Sequence, residues 1–186
     1  MRVPRTCRPP PPLDAASLNQ LALAYVGRFA TTRAKLRTFL KRKLRERGWA
    51  GETAADVDGL AERFATQGYV DDEAYALSKA RSLTGRGYGL RRVEQSLRAA
   101  GVEEADGTPA RHHAKEDCVA AALRFAERRR LGPFAAAMPD RDGRQRALAA
   151  MIRAGHPFGL AKRIVDLLPG ETVDRVALDE EQRYSD

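Results

Sequence analysis

Arg86, Tyr88, Arg91 and Arg92 bring three cations and one aromatic ring to the start of a helical pattern, within the run GRGYGLRR. Guanidinium groups grip phosphate through charge-assisted, often bidentate hydrogen bonds, and an aromatic face stacks a base. The set therefore suits a phosphate-bearing strand, although Tyr88 would equally well fill a gap between helices; both readings stand. A second set is Arg28, Arg33, Lys35, Lys41, Arg42 and Arg45. With Arg37, Lys43 and Arg47 it forms a block that only Glu46 opposes along the sequence. A charge run is usually a solvated helix face, but this density points to a polyanionic partner. Lys162 and Arg163 form a third, smaller cationic site.

Other candidate chemistry is explained more simply. Asp71, Asp72 and Glu73 stand where a helix begins, where a cap and the positive end of the helix dipole both favour carboxylates. His112 and His113 are adjacent in an expected loop and His156 is distant, so no metal-ligand spacing arises. Cys7 and Cys118 are too far apart in sequence to suggest a disulfide framework or a metal pair. The GRGYG run follows a helix instead of a strand and lacks a following Lys-Ser/Thr, which argues against a nucleotide loop; its glycines are read as turn formers. No nucleophile has an evident base. The expectation is no enzyme, no metal and no cofactor.

These residues must be positioned by helices. Of the 186 residues 43% are hydrophobic and only 6% aromatic, the alternating runs of strands are scarce, and the formal net charge is +8, which favours a polyanionic partner. Prolines at 4, 9, 10, 11 and 12 predict a disordered lead-in over residues 1–16, with Ser17 capping the first helix. Apolar spacing predicts further helices from Thr32 to Gly48, from Thr53 to Gln67, from Asp71 to Leu83, and from Leu90 to Gly101. Residues 103–110 read as a loop. Helical faces return at Cys118–Phe125, Leu148–Ile152 and Leu160–Leu168, followed by an acidic tail with little to bury.

Setting Leu36, Val93 and Ile164 in register also aligns Leu40, Leu97 and Leu168, with Lys35, Arg92 and Arg163 just before. Short units that cannot bury an apolar stripe alone are stabilised by stacking. The fold expected is all-α: tandem three-helix modules, forming an elongated, curved body. Module 1 spans 17–67 and module 2 spans 68–131; a linker at 132–143 leads to helical module 3 at 144–168 and a tail at 169–186. The N-terminus shows no apolar signal core, and nowhere do eighteen apolar residues run together. The expectation is a cytoplasmic protein with no membrane partner.

With these residues in view, the sequence resembles the RecX family over about Ser17 to Leu168. YVGRFATTRAKLRTFLKRKLRERGW supplies Arg28, Thr32, Lys35, Leu36 and Leu40 of the first module, with Lys35 where the family commonly has Glu, so Thr32 cannot take part in a reciprocal capping box. Gly68, Tyr69, Val70, Asp71 and Asp72 match the family's opening of the second module. RSLTGRGYGLRRVEQSLRAAGV matches the basic, Gly-containing connection and the helix that follows. Arg153, Gly155, Phe158, Arg163 and Ile164 resemble the final turn and helix. The resemblance implies a monomeric regulator that lies on a RecA filament formed on single-stranded DNA. It would restrain strand exchange, ATP hydrolysis and coprotease action in DNA repair, recombination and the SOS response. The competing reading is a stand-alone DNA-binding protein of helix-turn-helix type.

Overall fold

The computed structural model describes residues 11–183, and most of the expected proline-rich lead-in lies outside them. Among the described residues, ten α-helices and one short 3₁₀ turn carry the fold, and the chain divides into two compact units, one ending at Asp72 and the other starting at Glu73.

The first unit contains α1 (Ala15–Val26), α2 (Arg33–Arg47) and α3 (Val57–Thr66). Asp14 starts α1. Its carboxylate accepts from the Ser17 backbone N–H at 2.8 Å, and the Ser17 hydroxyl accepts from the Asp14 N–H at 2.9 Å. Ser17 is thus the third residue of a capping box and not the cap expected from sequence. Helix α2 begins and ends as its sequence predicts: the Thr32 hydroxyl accepts from the Lys35 N–H, and Gly48 at φ +80° closes the helix. Leu18, Ala22, Leu36, Leu40, Leu60 and Phe64 fill the core.

The last residues of the lead-in are ordered, which corrects the expectation of disorder up to residue 16. Leu13 is fully buried in this core and pairs with the strand-like backbone at Trp49, through Leu13 N–H to Gly48 O at 3.0 Å and Ala50 N–H to Leu13 O at 2.8 Å. Arg47 also donates to the Pro11 carbonyl. Proline prevents helix here but leaves carbonyls free to accept.

The second unit holds two apolar clusters. Helices α4 (Asp72–Gly85), α5 (Leu90–Ala99) and α6 (Thr108–Glu116) surround Ala76, Ala80, Leu83, Val93, Leu97 and Ala110. Helices α7 (Cys118–Arg129), α8 (Arg141–Arg153), α9 (Phe158–Asp166) and α10 (Arg175–Arg183) surround Val119, Phe125, Met151, Leu160, Ile164 and Leu178. Each fully buried Leu, Ile or Met here contributes roughly 1.5–3 kcal/mol of transfer free energy.

Three boundaries differ from the sequence reading. Helix α6 takes over the last three residues of the expected loop and continues to Glu116, because Pro109 lies in its first turn, where a missing N–H costs nothing; His112 and His113 are accordingly helical. Helix α7 packs with α8 and α9, so the third cluster starts at Cys118 instead of after residue 143, and the presumed linker joins it, with Gly132 and Pro133 buried and Phe134 packed against the cluster. The acidic tail forms α10 and buries Leu178.

The repeat register also shifts in the last module. Leu36 and Leu40, and Val93 and Leu97, are buried pairs, but Leu168 lies beyond α9 and is 56% exposed. The buried pair of α9 is Leu160 and Ile164, preceded by Gly159, so the cation that precedes the other two pairs is not repeated.

Candidate nucleic-acid interface

In the first unit much of the basic block is neutralised by folding. Arg33, Arg37 and Lys41 succeed one another at four-residue intervals along one face of α2, and Asp58 and Glu62 do the same on α3. Arg37 pairs with Asp58 at 3.1 Å and with Glu62, Lys41 lies 3.6 Å from Asp58, and Arg33 reaches Glu62 at 3.5 Å. Asp72, with its side chain 3% exposed, accepts from the Arg33 backbone N–H at 2.9 Å and from its Nε at 3.4 Å. That carboxylate satisfies the start of α2, a role that its position as the first residue of α4 does not reveal.

Sequence distance had hidden these acids, so Glu46 is not the block's sole counter-charge. Glu46 pairs with Lys43 at 2.6 Å, and this bond holds its carboxyl below the usual carboxylate range; Arg42 lies 3.7 Å from it and over the Phe39 ring. Lys35 is half-buried. Arg28, Lys41, Arg42 and Arg45 are exposed. In the second unit Lys162 is exposed and paired with Asp166, and Arg163 is half-buried.

The most coherent cationic site lies in the second unit. A groove of about 430 Å³ is lined by Lys79, Leu83, Arg86, Tyr88, Arg92, Gln95, Ser96 and Ala99, none of them acidic. The guanidinium carbons of Arg86, Arg92 and Arg128 stand 5.4, 6.0 and 5.9 Å from the centre of the Tyr88 ring, within cation–π range. Arg92 is oriented by donating to Gln95 Oε1 at 2.6 Å. Arg91 is exposed and is not among the lining residues.

The helix start itself contributes less than expected. The Gly89 N–H donates to Ala154 O at 3.0 Å and the Arg91 N–H to Gly155 O at 3.3 Å, so the turn between α8 and α9 already occupies these donors. Anion binding here therefore falls to side chains.

Two of the glycines of GRGYG, Gly87 and Gly89, are packing residues and not only turn formers. A Cβ on Gly89 would lie 2.4 Å from Gly155 O, and one on Gly155, at φ +97°, would lie 2.6 Å from Arg92 N. Beside this contact sits His156, fully buried, its ring tilted against Phe125 and its Nε2 3.1 Å from the Gly87 carbonyl. Since a carbonyl only accepts, Nε2 carries the proton. Nδ1 is buried with no hydrogen-bond partner among the described residues. Burial pushes the His156 pKa down to about 4, with the Gly87 bond acting in the opposite sense. Helix α7 adds two more ties: Arg124 donates to Thr84 O at 3.2 Å, and Arg128 donates to Arg86 O at 2.5 Å.

Sequence reasoning thus found Arg86, Tyr88 and Arg92 but missed Lys79, Arg128 and His156, which come from three other helices or turns. Among the described residues no cluster of His, Cys, Asp and Glu could hold a metal ion, and no helix is long and apolar enough to cross a membrane.

Fold and site together define a basic, all-helical protein built of small bundles, with a cation-walled groove beside the joint of two of them. The sequence model of the second three-helix domain of RecX matches residues 71–106, which cover α4, α5 and the turn that follows. A protein named regulatory protein RecX from Myxococcus xanthus (strain DK1622) is 37% identical over 165 residues, spanning 82% of this chain and 86% of that one. Another of the same name from Agrobacterium fabrum (strain C58 / ATCC 33970) is 31% identical over 147 residues, 77% and 78% of the two chains. A crystal structure of regulatory protein RecX shares the fold with a TM-score of 0.59 at 22% identity, covering 81% of this chain and 71% of the other. The chain belongs to the RecX family.

Proposed function

We propose that this protein binds a RecA filament on single-stranded DNA and restrains its ATP hydrolysis, strand exchange and coprotease action. It does so as a cytoplasmic monomer, without a cofactor and without chemistry of its own. Membership of a family of regulatory proteins supports a regulatory role. The observation that carries the reading is the groove at Tyr88, where cations gather without a lining carboxylate. A nucleoprotein filament presents phosphate and acidic protein surface at intervals, and exposed cations on both units, such as Arg28, Arg42 and Arg45 on the first and Arg86, Arg91 and Arg92 on the second, suit such a repeating partner.

The test is RecA-catalysed ATP hydrolysis on single-stranded DNA. Substoichiometric protein slows it, and reversing charge at Arg86 and Arg92, which line the groove, weakens the effect. Unchanged hydrolysis, or tight sequence-selective binding to duplex without RecA, overturns the reading.

A further inference from the structure

The groove at Tyr88 has a composition that narrows what it takes. Lys79 and Arg86 come from α4 and the turn after it and Arg92 from α5; Arg128, on α7 in the adjoining cluster, does not line the groove itself but stands 5.9 Å from the centre of the Tyr88 ring that does. Three planar guanidinium groups around one ring can make several charge-assisted hydrogen bonds to the oxygens of one phosphodiester, and what separates that ligand from an acidic side chain is the ring and apolar wall beside them. The apolar sides of Leu83 and Ala99 and the half-buried ring of Tyr88 offer a surface for a sugar or base. The volume of about 430 Å³ exceeds what a carboxylate needs and is of the order that encloses a small organic ligand.

Resting on the reading above, we propose that this groove binds a phosphodiester unit of single-stranded DNA, and that the site is composite. Arg128 belongs to the second cluster of the unit, and its bond to Arg86 O joins the two guanidinium-bearing segments. Gly87, Gly89, Ala154, Gly155 and His156 hold the loop that carries Arg86 and Tyr88 against the turn between α8 and α9. His156 is accordingly a positioning residue that touches no ligand. The acidic surface of the filament protein is left to other cations.

The experiment measures anisotropy of a labelled oligo-dT 30-mer with the full chain over a range of salt, for wild type, Arg86→Ala, Arg92→Ala, Arg128→Ala and His156→Asn. Each arginine variant lowers affinity about tenfold and flattens the log–log salt slope by about 0.7 per lost phosphate contact. Arg128→Ala does so although it lies outside the α4–α6 bundle. His156→Asn lowers affinity with the salt slope kept, because no cation is removed. An unchanged slope in Arg86→Ala and Arg92→Ala overturns the proposal, as does displacement of the DNA from wild type, but not from those variants, by a poly-glutamate peptide at equal charge concentration. RecA-dependent ATP hydrolysis is followed in parallel. Variants that lose inhibition while their DNA slope is unchanged overturn the groove assignment alone. A wild-type protein with the expected slope and no inhibition overturns the filament reading alone.

Discussion

Gly89→Ala separates the joint from everything else in the molecule. Gly89 has ordinary extended geometry, φ −85° and ψ 175°, so alanine is permitted by its backbone and the effect is purely one of space. The new Cβ meets Gly155 O at 2.4 Å and Gly155 C at 2.6 Å, both backbone atoms that cannot rotate away. Restoring van der Waals contact requires a shift of about 1 Å. That shift weakens Gly89 N–H to Ala154 O and Arg91 N–H to Gly155 O, together about 2 kcal/mol, and the overpacking costs about 2 kcal/mol more. The expected loss is about 4 kcal/mol of the second unit's stability.

Urea unfolding followed at once by far-ultraviolet circular dichroism and by tryptophan fluorescence reads this. The single tryptophan, Trp49, packs against the core of the first unit, so its signal reports that unit, whereas the circular dichroism reports all helices. Gly89→Ala moves most of the circular dichroism transition to lower urea and leaves the Trp49 transition in place. The control is Gly159→Ala, an exposed helical position with nothing within 4 Å of the added methyl, which stabilises by up to about 1 kcal/mol. If Gly89→Ala unfolds like wild type by circular dichroism, the joint as described is wrong.

Two further outcomes follow from buried charge. Between pH 6.5 and 4 the unfolded chain binds a proton that folded His156 refuses, so stability contributed at neutral pH is lost as pH falls, by about 3 kcal/mol in all; urea midpoints by circular dichroism show that decline, and His156→Asn removes its share of it. Asp72→Ala leaves the Arg33 N–H and Nε without this carboxylate and lowers stability by about 2 kcal/mol, with the Trp49 fluorescence transition as the readout.

Helix α2 was legible end to end because its signals are local: Thr32 before the apolar stripe, Gly48 after it. The same locality explains the errors. Pro109 and Gly107 look like a break in a sequence window, yet proline in a first turn suits a helix start, so α6 was hidden. Leu13 follows four prolines, and only the return of Trp49 beside it reveals a buried position. The cations of α2 stood unopposed in sequence because Asp58, Glu62 and Asp72 lie sixteen or more residues beyond the cations they meet. In the groove, Arg86, Tyr88 and Arg92 are neighbours and could be found together, whereas Arg128 and His156 join them only through tertiary contact.

The close approach of Gly89 to Gly155 limits how such a chain can be shortened or rebuilt. Each glycine makes room for the other's backbone, and neither has an equivalent at α2, which starts from Thr32. The portion that can be cut out, shuffled or grafted as a working piece is therefore the pair of bundles from residue 73 onward. A protein trimmed back by one bundle would carry an open seam where a backbone had been seated.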